Sequence, residues 1–234
     1  GHLGRAVGLL EGRLIVRRWV GIGSKLETWD VAKGERVRSR SVPGWMPGGL
    51  AASPAGDRLA LVADRLRRVD LVVYDLSKGR TFDAEPLTEG PAAREFVLGG
   101  VAFSPDGEKI SALYKADGSW RLTTWHILGF AELNDHELDD RVARYAPDGR
   151  HAGLLSALPR GGWLVFGSAL VDGKTGRATR DLRIRGAVAQ RVIDAGHVAV
   201  VTAEGGRFRL ETAEVERNPK SGGSLRTETR PASR

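Results

Sequence analysis

The sequence contains no cysteine. Disulfide bonds, zinc–thiolate sites and cysteine nucleophiles are therefore excluded for this chain. No apolar run approaches the roughly 18 residues that a membrane helix needs. The missing cysteines and the missing signal-peptide pattern slightly favour the cytoplasm, although a bacterial envelope protein without disulfides would have the same composition. The first residue is glycine and not methionine, so we expect further chain before it.

Acidic residues are fewer than basic ones. The chain has 36 Lys and Arg against 29 Asp and Glu, which gives a net charge of +7. This excess favours an acidic protein partner. Basic and aromatic residues adjoin at Arg18-Trp19 and Trp120-Arg121, but both pairs lie within predicted strands, where tryptophan packs in a core. We therefore expect neither specific nucleic-acid binding nor membrane binding.

A repeated turn is the most informative feature that the sequence does have. Ser-Pro-Asp-Gly at 104–107 lies between two apolar segments. Proline presets φ, aspartate can bond its own backbone and glycine tolerates positive φ, so the segment predicts a β-hairpin. Related turns occur at 53–56 and 146–149, and their prolines are 51 and 42 residues apart.

A second marker repeats with the same period. An aromatic or apolar residue and a polar partner end a predicted strand just before a glycine-bearing turn. The marker occurs at Trp29-Asp30, Tyr74-Asp75, Trp125-His126 and Val171-Asp172, with spacings of 45, 51 and 46 residues. Four strands in a period of about 40 to 50 residues are typical of a propeller blade.

The two markers predict an all-β fold, a β-propeller of four-stranded antiparallel blades. Five blades can be placed, at about 3–43, 48–87, 97–136, 141–185 and 187–230, followed by a frayed tail at 231–234. No strand is left to latch a ring, so we expect an open arc of a propeller with about six to eight blades. Each end of that arc would carry an apolar face that promotes association. The alternative is a stack of β-hairpin domains that does not close radially.

The turn and the aromatic-Asp marker together resemble the WD40-like repeats of β-propeller proteins. The resemblance covers nearly the whole chain and is of a divergent, bacterial type, because no Gly-His pair opens each blade and Trp125 precedes His126 instead of aspartate. Members of such families serve as scaffolds, as ligand-binding platforms and as enzyme appendages. The resemblance therefore implies a fold and does not select one function.

The candidate chemical groups have structural explanations. The segment 21–25 lacks the spacing of a phosphate loop and predicts a hairpin turn. Ser53 and Ser104 lack a nucleophile elbow and fit turn bonding. The acidic stretch 132–140, with His136, could hold a metal ion, but it lacks the loop glycine and fits a solvated link between blades. We therefore expect no catalytic residue, metal or cofactor in this chain.

A candidate partner-binding surface is predicted on one rim of the arc. The loops between second and third strands and the links between blades should emerge there together. The candidate residues are Arg65, Arg67, Arg68, Arg160, Trp45 and Met46. A tryptophan beside arginines is typical of interface hot spots, although Trp45 could instead pack beneath its own loop.

The sequence thus predicts a non-catalytic scaffold that binds a protein through one rim. The alternatives are a domain accessory to a hydrolase or kinase type of enzyme elsewhere on a longer chain, and a platform for a small ligand.

Overall fold

A computed structural model describes most of the chain. The described residues are 5–10, 13–20, 23–42, 50–64, 67–138, 155–157, 162–166, 169–181, 187–192, 196–204 and 207–215. They are almost entirely β-strands and turns, and a five-residue 3₁₀ helix, Gly90–Arg94, is the one helical segment among them. No helix in this part of the chain has the length and apolar character required for a membrane crossing.

The described strands form five antiparallel sheets, named blades 1 to 5, each in chain order. Blade 1 comprises β1 (Arg5–Leu10), β2 (Arg13–Val20), β3 (Gly23–Asp30) and β4 (Glu35–Val42). Blade 2 comprises β5 (Leu50–Ala52), β6 (Arg58–Asp64), β7 (Arg68–Asp75) and β8 (Arg80–Glu89). Blade 3 comprises β9 (Val97–Phe103), β10 (Lys109–Ala116), β11 (Ser119–His126) and β12 (Ala131–Glu137). Blade 4 comprises β13 (Leu155–Ala157), β14 (Trp163–Phe166), β15 (Ala169–Asp172) and β16 (Ala178–Asp181), and blade 5 comprises β17 (Ala187–Val192), β18 (His197–Glu204) and β19 (Arg207–Glu214).

The two predicted turn signals lie where the sequence indicates. In blades 2 and 3 the Ser-Pro turn joins the first strand to the second, and the glycine N–H donates to the serine carbonyl at 2.9 Å in both. Gly107 has φ +73°, which a residue with a side chain adopts at a cost. All four aromatic or apolar markers end the third strand of their blade, as predicted. The copy at 146–149 and the predicted strand at 225–229 lie outside the described residues.

The blades follow one another around a common centre. Their innermost strands contact in the order β1, β5, β9, β13, β17. The approach of β9 to β13 is close, because a Cβ on Gly100 would lie 2.7 Å from the Leu155 Cβ. Four of the described sheets have four strands and the fifth has three, and this arrangement is the propeller architecture that the repeats predict.

Buried side chains fill the space between neighbouring blades. Ile15 and Leu26 of blade 1 pack against Leu59, Leu61 and Tyr74 of blade 2. Further apolar clusters join blade 2 to blade 3, blade 3 to blade 4 and blade 4 to blade 5. The core is therefore a series of layers, and each layer needs side chains from two blades.

Outer strands also contact the following blade. Arg38 of β4 donates to the backbone carbonyls of Leu76 and Ser77, in the turn that follows β7. In blades 3 and 4 the corresponding contact joins His136 of β12 to Gly176, in the turn that follows β15. The turn after each third strand therefore lies against the outer strand of the preceding blade in both pairs.

Candidate interaction rim

The alternating strand directions give the arc two rims. The turn rim carries the turns that join the first strand to the second and the third to the fourth. Its described parts include residues 53–57, 76–79, 104–108 and 127–130. The linker rim carries the second-to-third turns and the links to the next blade, and its described parts include residues 67, 90–96 and 117–118. The candidate partner-binding residues are predicted for the linker rim.

A backbone hydrogen bond recurs on the turn rim in blades 2 to 5. The N–H of the residue after the third strand donates to the carbonyl of the residue before the second strand. The donor and acceptor pairs are Leu76 and Asp57, Ile127 and Glu108, Gly173 and Gly162, and Val215 and Gly196. The bond ties the two turns of each blade together and identifies equivalent positions in blades whose turn sequences differ.

This bond corrects the predicted position of one loop. Residues 160–162 are predicted to join the second and third strands of their blade and so to lie on the linker rim. Gly162 instead precedes β14, the second strand, and occupies the position of Asp57 and Glu108. The Pro-Arg-Gly-Gly segment at 159–162 is compatible with any hairpin turn, so its residue types do not show which two strands the segment joins. Arg160 itself lies outside the described residues.

Ser53 and Ser104 are turn residues, as predicted. The Ser53 hydroxyl donates to the Asp57 carboxylate at 2.8 Å and accepts the Arg58 N–H at 3.0 Å. The Ser104 hydroxyl accepts the Lys109 N–H at 2.9 Å and donates to Asp106. Neither hydrogen-bonds to a histidine in the described part of the chain, so neither belongs to a nucleophile–base pair there.

The polar residue of each marker caps the turn that follows it. Asp75 Oδ1 accepts the Ser77 hydroxyl at 2.6 Å and the Lys78 N–H at 2.8 Å. These two hydrogen bonds lower the pKa of the Asp75 carboxyl, the Ser77 hydroxyl contributing most. Asp30 accepts the Lys33 N–H, Asp172 accepts the Lys174 N–H, and in blade 3 the His126 Nδ1 accepts the Leu128 N–H at 3.2 Å. The histidine thus performs the capping role that aspartate has elsewhere.

On the linker rim, Arg68 is held by two carboxylates. Its Nε donates to Asp70 Oδ1 at 2.5 Å, and its Nη1 lies 3.4 Å from Glu89 Oε1. Asp70 is buried, and its carboxylate raises the pKa of the Arg68 guanidinium, chiefly through the hydrogen bond. Arg67 is exposed, and its carbonyl accepts the Gly90 N–H at 2.7 Å. Arg68 is therefore held in place, whereas the Arg67 beside it is exposed to solvent.

The same rim carries a polar network in blade 3. The Tyr114 hydroxyl lies 3.1 Å from the Thr123 hydroxyl, which donates to Asp135 at 2.7 Å. Arg121 forms an ion pair with the same carboxylate, and the Tyr114 ring stacks on Phe96 with centroids 5.7 Å apart. Burial raises the pKa of Tyr114, and the Thr123 hydrogen bond opposes that rise.

The acidic stretch is partly a strand and not, as predicted, a link between blades. Residues 131–137 form β12, where Asp135 binds Arg121 and Glu137 accepts the Ser119 hydroxyl at 2.8 Å. Polar and apolar residues do not alternate clearly in this stretch, because an outer strand buries neither of its faces fully. Among the described residues, no His, Asp and Glu side chains gather in a group that could hold a metal ion.

Of the six candidate rim residues, Arg67 and Arg68 are described, and both lie on the linker rim. Arg65, Arg160, Trp45 and Met46 lie outside the described residues. The carboxylates beside Arg68 were not predicted from the sequence. Asp70 stands between Val69 and Leu71 in a buried strand, and a carboxylate at such a position signals an ion pair. Glu89 gives no such signal, because only the register of β7 with β8 brings it opposite Arg68.

No protein-family model and no curated protein matches the chain. Solved structures match it through the fold. Hydrazine synthase of Kuenenia stuttgartiensis is similar with a TM-score of 0.57 and 15% identity over 93% of this chain. The β-propeller domain of Cps50 (Swd1) from Myceliophteria thermophila gives 0.57 and 13% over 93%, and TolB from Acinetobacter baumannii gives 0.55 and 17% over 88%.

The matched structures are longer than this chain, which spans 63%, 68% and 49% of their respective lengths. At these identities the similarity shows the fold and no more. The predicted fold class is confirmed: the sheets are blades of a β-propeller.

Proposed function

We propose that the chain is a non-catalytic β-propeller scaffold that binds the acidic surface of a protein partner through its linker rim. The observation that carries the proposal is that two adjacent arginines have different surroundings. Arg68 is tied to Asp70 and Glu89, whereas Arg67 beside it is exposed. The Arg67 backbone is anchored by the Gly90 N–H, and a cation on an anchored backbone loses less conformational freedom on binding.

The charge of the chain supports an acidic partner. The net charge is +7, and Arg65 lies two positions before Arg67 in the sequence. Charged rims chiefly set the rate of association and its salt dependence, while a buried aromatic anchor contributes more of the affinity. In this proposal Arg65 and Arg67 attract the partner, Trp45 with Met46 provides the anchor, and Arg68 positions Arg67; Arg160 is left out because its loop joins the first and second strands of blade 4.

The groups that could carry chemistry have structural partners instead. Ser53, Ser104, Asp75 and His126 each hydrogen-bond within a turn of their own blade. A scaffold needs such rigid turns and requires no nucleophile. We therefore place any catalytic activity outside these residues.

The experiment is a charge reversal with a matched control. A partner is captured with the immobilised chain, and its association is followed by surface plasmon resonance. Arg65→Glu with Arg67→Glu should slow association and weaken its salt dependence. Arg80→Glu with Arg58→Glu makes the same charge change in the same blade, at the ends of strands on the turn rim, and should leave the rate near that of the unaltered chain.

Two further results bear on the same proposal. Trp45→Ala should speed dissociation, because it removes the anchor. Equal association rates for both charge reversals would overturn the rim assignment. Turnover of an ester or peptide by the purified chain would overturn the non-catalytic role.

A further inference from the structure

The outer strand of blade 1 differs in charge from the outer strands of blades 2 and 3. β4 contains three arginines and one glutamate. β8 contains one arginine against three acidic residues, and β12 contains three acidic residues and neither lysine nor arginine. The perimeter of the arc is therefore basic at blade 1 and acidic at blades 2 and 3.

β4 is also exposed over most of its length. The side chains of residues 35–41 are all exposed, whereas Glu85 of β8 and Asn134 of β12 are partly buried. β4 pairs with β3 along one edge and is the last strand of its sheet. No described strand pairs with its other edge, so the backbone N–H and C=O groups along that edge form a template for a further strand.

The outward edge of β4 is separate from the surfaces that join one blade to the next. Neighbouring blades pack through the faces of their sheets, as in the layer that contains Leu26 of β3 and Leu61 of β6. The contacts between inner strands lie at the opposite end of each sheet from its outer strand. A further blade in the arc would therefore cover a sheet face and leave this edge open.

Two arginines of β4 are positioned by blade 2 without a carboxylate. Arg38 Nη1 donates to two backbone carbonyls in the turn at residues 76–79. The Arg40 guanidinium lies over the same turn, since a Cβ added to Gly79 would be 2.9 Å from the Arg40 Cζ. Arg36 is the one arginine of β4 that has an ion pair among the described residues. Arg38 and Arg40 thus carry uncompensated charge in places that blade 2 restricts.

Arg38 and Arg40 have the spacing of one strand face. Residues 38–42 pair with β3 without a bulge, and side chains two residues apart in a regular strand point to the same side. A strand added alongside would place alternate side chains opposite the two arginines. Nη1 makes both described bonds of the Arg38 side chain, so its Nε and Nη2 donors remain for a carboxylate. Arginines on an edge repel a basic strand, and they select an acidic one.

We propose that the outer edge of β4 binds an extended acidic peptide segment of a partner protein as a fifth strand of blade 1, with carboxylates at alternate positions paired to Arg38 and Arg40. Main-chain hydrogen bonds supply affinity in this mode of binding, and the two ion pairs select the sequence and the register. β4 contains no aromatic residue on which a base could stack, so the edge fits an acidic peptide better than single-stranded nucleic acid. The site is separate from the linker rim and does not depend on it.

The test measures binding of a fluorescent peptide to the full chain by fluorescence anisotropy. The peptide has eight residues, the length of β4, with glutamate at alternate positions and threonine or valine between them. Arg38→Gln with Arg40→Gln should weaken binding about two- to thirtyfold, because two cross-strand charge pairs are lost. Arg67→Gln with Arg94→Gln removes the same charge from exposed residues of the linker rim and should leave the affinity unchanged. Circular dichroism monitors folding of each variant.

Two further peptides separate strand pairing from charge attraction alone. A peptide of the same composition with its glutamates in one block should bind more weakly, because its carboxylates cannot reach both arginines. Peptides N-methylated at alternate residues, in either of the two phases, lack one set of backbone donors, and one phase should lose binding.

A charge exchange completes the test. Arg38→Glu with Arg40→Glu should reject the acidic peptide and bind a peptide with lysine in place of each glutamate. Four results would overturn the proposal: no binding to the unaltered chain at millimolar peptide, equal loss in the linker-rim control, full binding of both N-methylated peptides, or tighter binding of a single-stranded oligonucleotide of equal charge to the same two arginines.

Discussion

Gly176 lies directly against His136 of the preceding blade: a Cβ added to the glycine would meet the His136 Cβ at 2.6 Å. Gly34 holds the same position in blade 1, four residues after the marker aspartate, with nearly the same φ (+68° against +66°). A Cβ on Gly34 would meet nothing within 4 Å. The two glycines therefore separate the cost of backbone strain from the cost of crowding between blades.

Alanine at these two positions should destabilise the protein to different degrees. Gly34→Ala costs only the left-handed backbone conformation, about 1 kcal/mol. Gly176→Ala adds overpacking against β12, about 1–3 kcal/mol more. Urea denaturation measures both variants, and equal losses of stability would contradict the crowding of blade 4 against blade 3.

The fold could be predicted because its signals are local. A Ser-Pro turn at 104–107 and a marker at Trp125 are each encoded within a few residues, and their repetition fixes the period. The hydrogen bond from the Leu76 N–H to the Asp57 carbonyl joins backbone atoms only, so no residue type in the sequence predicts it. The equivalent bond from Gly173 to Gly162 shows that residues 160–162 precede β14, and it too is invisible in the sequence.

The rim was harder to predict than the fold. Arg68 and Glu89 are far apart in sequence and meet only because β7 and β8 pair in one particular register. The sequence shows arginines at 65, 67 and 68, but it does not show which of them pairs with a carboxylate. The exposure of Arg67 and the ion pair of Arg68 with Asp70 depend on the folded structure, whereas the two arginines have nearly the same neighbours in the sequence.

Acid should destabilise the turns that carry Asp75 and Asp106. Their carboxyl pKa values are lowered, chiefly by hydrogen bonds from the Ser77 and Ser104 hydroxyls respectively. A lowered folded-state pKa stabilises the fold above the unfolded-state pKa, and that stability is lost as pH falls below about 4 and through the folded-state values. Thermal midpoints from pH 7 to pH 2 measure the loss.

Asparagine at both positions keeps a capping oxygen but cannot titrate there. The double variant should be less stable than the unaltered chain at pH 7, and the difference should shrink as the pH is lowered. A difference that stays constant with pH would contradict the role assigned to the two charges.

Ionisation of Tyr114 should destabilise the folded state at alkaline pH. Its pKa is raised chiefly by burial. A raised folded-state pKa gives stability that is complete below the unfolded value, about 10, and is lost as pH rises through the folded value. Tyr114→Phe should cost about 1 kcal/mol at pH 7 through the lost hydrogen bond to Thr123, and it should flatten the alkaline decline.

Absorbance of the three tyrosines near 295 nm follows this titration, together with unfolding by circular dichroism. In the unaltered chain the ionisation of Tyr114 should be delayed and should accompany unfolding. A late phenol that persists in Tyr114→Phe would assign the late ionisation to another tyrosine.

The order of the inner strands, from β1 through β5, β9 and β13 to β17, makes the arc a linear array whose units interact with their nearest neighbours. In such an array the free energy is close to a sum over units and junctions, so the stability of each blade depends on the junctions with its neighbours. It also means that copying a whole blade into the middle would create one more junction of an existing kind. Such a protein can change its length by gene duplication without having to evolve a new interface.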